Sequence, residues 1–231
     1  MIQVELFTRA LLRAGYPLYP VTREISIEAM SEHLKEPEMV LVAVGDGESD
    51  LSPVLKQIPA HWKDRLYLLQ NELLPHDWQA HHIENPTIIS VWFEKKKGQD
   101  FKVLVPSPVI GPKAEIIKDA LATLDIPAWI VKDDQEMLFE LVRKNLYILT
   151  TNIAGLDMPP DSNVNDRWNE NRDLALKVID DVLTIQSHLT GQNFDDADKE
   201  RLITAIWPIN AWGVQFLPVY PVLWNTPKQT S

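Results

Sequence analysis

The feature that most constrains the fold is a change of pattern near residue 132. Before it, apolar runs of strand length alternate with stretches of helical period; after it, only long helical periods remain. In the first half Val4, Leu6, Phe7, Ala10, Leu11 and Leu12 keep helical spacing up to Gly15, and 28–35 reads as a polar helix. Residues 18–21 read as a short extended segment, weakened by Pro17 and Pro20, which cannot donate to a ladder. The run MVLVAV at 39–44 is continuously apolar, the mark of a strand covered on both faces. A helix at 51–58, strands at 66–69, 88–93 and 101–105, a helix at 113–124 and a strand at 128–131 continue the alternation. Such a succession predicts a mostly parallel α/β sheet. In the second half, 135–156 reads as one long helix, 157–166 as a polar, Pro-bearing linker and 168–189 as a second helix. A third begins at Asp195 or Asp196, whose carboxylates can cap its first N–H groups. The expected division is an α/β domain over 1–132 and a mainly helical domain over 133–231.

Composition narrows the classes of function. Among 231 residues, 22 Lys and Arg stand against 33 Asp and Glu, a net charge of −11, which disfavours binding to phosphate backbones. The absence of Cys excludes thiolate nucleophiles, disulfides and Cys-based metal sites. No apolar run reaches the ~20 residues of a membrane span, and the first residues lack a signal-peptide pattern, so a cytoplasmic protein is expected. His76, Asp77, His81, His82 and Glu84 are crowded enough to suggest a metal. Their spacing does not set two imidazoles on one helical face, so a polar surface helix is preferred. Asp195, Asp196 and Asp198 lack the glycine and spacing of a calcium loop. Ser49 and Ser52 lack a nucleophile elbow.

Five segments in order carry a resemblance: Ala10-Leu11-Leu12-Arg13-Ala14-Gly15, the run 39–44, Leu68-Leu69-Gln70-Asn71, Pro108-Val109-Ile110-Gly111, and Leu141-Val142-Arg143-Lys144 followed by Asn152. Over roughly residues 5–156 they resemble the ketopantoate reductase family, NADPH-dependent enzymes that reduce a 2-oxo acid to a 2-hydroxy acid. The resemblance implies a Rossmann-like α/β domain with NADP(H) as the cofactor, if any. It implies Lys144 as the general acid at the ketone oxygen, where negative charge develops as hydride arrives. Asn152 and Asn71 would contact substrate, Asn71 would also face the cofactor, and Arg23 would grip the 2′-phosphate with its guanidinium fork. From the residues alone, Lys144 reads first as a solvated lysine on an amphipathic helix, and Arg23 reads equally as an exposed arginine beside Glu24.

The chain also departs from the family. Ile148 stands where a second helix Asn belongs, Gly45 where a Lys follows the strand, and Glu72 where a glycine follows Asn71. Counting back from Gly15, the last two glycines of the phosphate loop would fall at Met1 and Val4, and the first Rossmann strand would precede the chain. Gly45-Asp46-Gly47 is no substitute, because its spacing and acids oppose pyrophosphate. The family's C-terminal Ser and Glu are replaced by an aromatic, Pro-rich tail from Trp207 to Trp224. That tail reads either as a strap over the helical domain or as a patch pairing two subunits in a homodimer.

Three readings of function follow. The preferred one is a catalytically impaired, ketopantoate-reductase-like protein that binds a ligand or assembles, with no cofactor. The second is an active NADPH-dependent reductase of a 2-oxo acid whose true N-terminus precedes Met1. The third is a purely structural dimer.

Overall fold

Alternation of side chains along each strand builds a sheet with two covered faces. The computed structural model describes residues 2–44, 47–95, 100–156 and 170–211. Its strands are β1 (Val40–Val42), β2 (Leu66–Leu68), β3 (Thr87–Ile89), β4 (Phe93–Lys95), β5 (Phe101–Val103), β6 (Ser107–Ile110) and β7 (Ala128–Ile130). Five of them form one mixed sheet in the order β1-β2-β3-β6-β7. The β1–β2, β2–β3 and β6–β7 ladders are parallel, and β3–β6 is antiparallel. The mostly parallel expectation thus needs correcting at β6, which returns beside β3 through a hairpin instead of a helical crossover.

Tyr67, Leu69, Ile89, Val91 and Val109 point to one face, where Leu6, Phe7, Ala10 and Leu11 of α1 (Ile2–Arg13) meet Ile117, Ala120 and Leu121 of α5 (Ala114–Ala122). Val42, Leu66, Leu68, Ile88 and Trp92 point to the other. There α3 (Gly47–Gln57) supplies Leu51 and Leu55, and α6 (Asp134–Gly155) supplies Leu141, Val142 and Leu146. The same cluster takes in Val178, Ile179 and Val182 of α7 (Arg172–Thr190) and Leu202 and Ile206 of α8 (Asp196–Ala211). Each such side chain contributes about 1.5–3 kcal/mol when fully buried. The apolar cluster therefore crosses residue 132 without a break, although no strand follows β7 among the described residues.

Local chemistry fixes the helix ends. Ser26 Oγ accepts the N–H of Ala29 at the start of α2 (Ile27–His33). Asp133 Oδ1 accepts the N–H of Glu136 at 2.9 Å to start α6. Asp195 and Asp198 exchange side-chain and backbone bonds reciprocally, so the expected cap of α8 is present. At its far end α7 closes on Gly191 in the left-handed conformation.

Two strand expectations change, and the structure fixes the position of a third strand. Residues 18–21 form no strand; Tyr16 and Leu18 instead pack against the α1–α5 face. The apolar run at 39–44 yields β1, which is the end strand of the sheet. The stretch 88–93 is divided: β3 belongs to the main sheet, and β4 pairs with β5 in a separate two-stranded ribbon. The division is a bulge. Ile88 pairs with Ile110 and Phe93 with Val103, so five steps along one strand oppose seven along the other. Pro106 and Pro108 fall in the longer arm, where missing donors are tolerated. With the backbone ladder interrupted, the N–H of Trp92 donates to Ser107 Oγ at 3.0 Å, a bond that is itself buried. A short helix, α4 (Pro75–Gln79), forms in the stretch from His76 read as a polar surface helix, but it is only five residues long and buries Trp78.

Candidate functional site

In an open α/β sheet, ligands bind beyond the carboxyl ends of the parallel strands. Lys144 is placed there. It lies mid-way along α6, and its Nζ donates to the carbonyl of Val91, two residues past β3, at 2.6 Å. The same ammonium stands 4.4 Å from the centroid of the Trp92 ring. Trp92 is fully buried, and its ring also meets Tyr147 at 5.4 Å and the Arg143 guanidinium at 5.0 Å.

Three consecutive residues of α6 tie three different elements. Arg143 donates to the carbonyl of Ala205 in α8 at 3.0 Å. Lys144 holds the strand end, and Asn145 Nδ2 donates to Gln186 Oε1 of α7 at 3.1 Å. Arg143 also pairs with Glu140 one turn earlier, at 2.9 Å and largely out of solvent. Burial dominates the carboxyl of Glu140 and raises its pKa despite the adjacent guanidinium. Burial likewise pushes the Tyr147 phenol above the ordinary tyrosine range. Ser90 Oγ and Trp92 Nε1, two residues apart on the α6 side of the sheet, are buried polar atoms without a hydrogen-bond partner.

The other expected site residues divide. Asn71 stands three residues beyond Leu68 and Val91 three beyond Ile88, and Leu68 and Ile88 are register partners in β2 and β3. Asn71 and the Lys144 anchor therefore sit at adjoining strand ends. Glu72 adopts φ +55°, the left-handed conformation that a glycine takes without strain. The turn after Asn71 keeps a glycine-type backbone although its residue is Glu. Nearby, the Gln70 amide donates to the carbonyl of Val42 at 2.8 Å, tying the ends of β2 and β1. Asn152 is half-buried on α6, about 12 Å along the axis from Lys144 by helical rise. Arg23 is exposed in a turn between α1 and α2. The strand whose end it would mark is not formed, so the geometry behind its assignment to a 2′-phosphate is missing.

Gly45-Asp46 and the aromatic tail from 212 onward lie outside the described residues. Of the histidine group, His76 pairs with Asp77 at 3.1 Å and the His81 carbonyl accepts from Lys63. Among the described residues no three His, Asp or Glu side chains gather as a metal site, and no helix is long and apolar enough to cross a membrane. The sequence reading missed Trp92, Ser107 and Arg143. Only the paired prolines at 106 and 108 hinted at the bulge, and a backbone carbonyl such as that of Val91 leaves no mark in a sequence. Compared with family models, with curated proteins and with solved structures, the chain finds no match.

Proposed function

We propose that this chain is a ketopantoate-reductase-like protein that binds a small 2-oxo acid and is impaired in hydride transfer. One observation carries the reading: the Lys144 ammonium is held at the carboxyl end of β3, adjoining Asn71 at the end of β2. An ammonium fixed there is suited to a carboxylate or a polarised ketone oxygen, with the Asn71 amide as a neighbouring hydrogen-bonding group. Lys144 is the candidate catalytic residue, and Asn71 and Asn152 are the candidate substrate contacts. Impairment rests on Val4 at a phosphate-loop glycine position, on Ile148 in place of a helix Asn, and on an Arg23 that caps no strand. A second reading, an active NADPH-dependent reductase, is favoured by the left-handed backbone at Glu72, which preserves the family's turn beside the nicotinamide.

Calorimetric titration of the full chain with ketopantoate and, separately, with NADPH distinguishes the two. Ketopantoate binding that is lost in Lys144→Met, with no NADPH binding at tens of micromolar, is the expected result. NADPH binding in the low micromolar range, lost on Arg23→Ala, would replace the first reading by the second. Absence of any ketopantoate binding would remove both.

A further inference from the structure

We propose that Trp92 is a positioning residue for Lys144, an aromatic seat that holds the ammonium at the strand end. The inference rests on the 2-oxo-acid reading for its ligand, but its geometry stands by itself. A lysine on a helix carries four rotatable bonds, and its ammonium sweeps a wide arc unless something fixes it. Here two dissimilar contacts do so. The Val91 carbonyl accepts one N–H at 2.6 Å, and the indole face lies 4.4 Å from the nitrogen, within the range where the ring quadrupole attracts a cation. Both contacts come from adjacent residues of the short segment joining β3 to β4, so they move together.

The seat is itself held on several sides. The Trp92 backbone N–H donates to Ser107 Oγ, and its backbone carbonyl accepts the N–H of Leu104 at 2.8 Å. Tyr147, one turn past Lys144 on α6, packs on the ring at 5.4 Å. Arg143 approaches the ring at 5.0 Å, but its charge is answered by Glu140 and its second nitrogen is spent on Ala205. The bulge opposite Trp92 thus has a consequence for chemistry. It turns a residue that would otherwise only fill the core into a platform under the lysine.

The test reads Lys144 directly. Lysine side-chain NMR on the full-length protein should show one set of Hε protons shifted upfield by the indole ring current, and that set should vanish in Lys144→Met. Trp92→Phe keeps a π face without the indole N–H. It should retain an upfield shift and bind ketopantoate within about threefold of wild type. Trp92→Leu removes the π face and should abolish the shift and weaken ketopantoate by about tenfold. No upfield lysine resonance in the wild type would overturn the proposal even if Trp92→Leu does not fold. So would equal ketopantoate affinity in wild type and folded Trp92→Leu. A Trp92-dependent shift in a protein that binds no ketopantoate would sink the ligand reading and leave the seat standing.

Discussion

Gly111 closes β6 and turns the chain across the start of β3, and replacing it with Ala tests the hairpin directly. Its φ is +120°, and a Cβ built there would lie 2.5 Å from Thr87 Cα and 2.7 Å from the carbonyl oxygen of Pro86. Both are backbone atoms, so a rotamer change cannot relieve the clash. The neighbours are also committed: the Lys113 carbonyl accepts from the Tyr67 hydroxyl at 2.7 Å, and the Lys113 ammonium pairs with Glu38. Backbone strain of this type costs about 1–3 kcal/mol and forced overpacking about 1–3 more. The sum, about 2–6 kcal/mol, is a large part of the 5–15 kcal/mol typical of a whole protein. Gly191→Ala is the control. That residue is also left-handed, at φ +69°, but nothing lies within 4 Å of its built Cβ, so only strain of about 1–2 kcal/mol applies. Urea unfolding followed by circular dichroism should show a midpoint loss for Gly111→Ala well beyond that of Gly191→Ala, with an unchanged slope. Because Gly111 sits at the opposite end of β3 from the Lys144 anchor, the folded fraction should bind ketopantoate as wild type does. Equal midpoints for the two alanine variants would refute the steric argument.

Asp133 has its pKa lowered chiefly by the N–H of Glu136, so its contribution is complete above the ordinary aspartate range and disappears as pH falls through its folded value. Asp133→Ala should therefore lower the melting temperature at pH 7, and by progressively less as the pH is taken down through the folded value. Glu140 has the opposite sign: its pKa is raised by burial, so its ionisation costs stability as pH rises through the folded value. Glu140→Gln should flatten that part of the pH–stability curve. Glu140→Ala, which strands Arg143 in a largely buried place, should cost about 3 kcal/mol in denaturant titrations at pH 7. A homodimer is expected from the aromatic tail, and a full-length chain that scatters light as a monomer at tens of micromolar (the range of weak interfaces) would exclude it.

The helices were legible because their signals are local. Asp133, Asp195 and Gly191 mark ends through bonds to residues within four positions, and apolar spacing marks the buried side. The strands were legible as far as their faces. The run at 39–44 does have both faces in contact with core clusters, Val40 and Val42 on one side, Leu41 and Ala43 on the other. Its rank in the sheet was not readable, because a strand's edge is perpendicular to its faces and is filled by whichever backbone lies alongside. The bulge escaped notice because register belongs to two strands jointly. Lys144 was singled out by the company it keeps in sequence, and its neighbours in space, the Val91 carbonyl and the Trp92 ring, lie more than fifty positions away.

Arg143, Lys144 and Asn145 follow one another at about 100° intervals around the axis of α6, and each grips a different body: α8, the end of β3, and α7. Three tethers so spread remove rotation about the axis as well as sliding along it, as three screws fix a shaft that one would let spin. A ratchet of α6 by one turn would have to release all three at once, so intermediate positions are costly and the helix has one seat. Amide exchange in the middle turns of α6 should accordingly proceed only through openings that also expose α7 and α8, with the three helices sharing one protection factor.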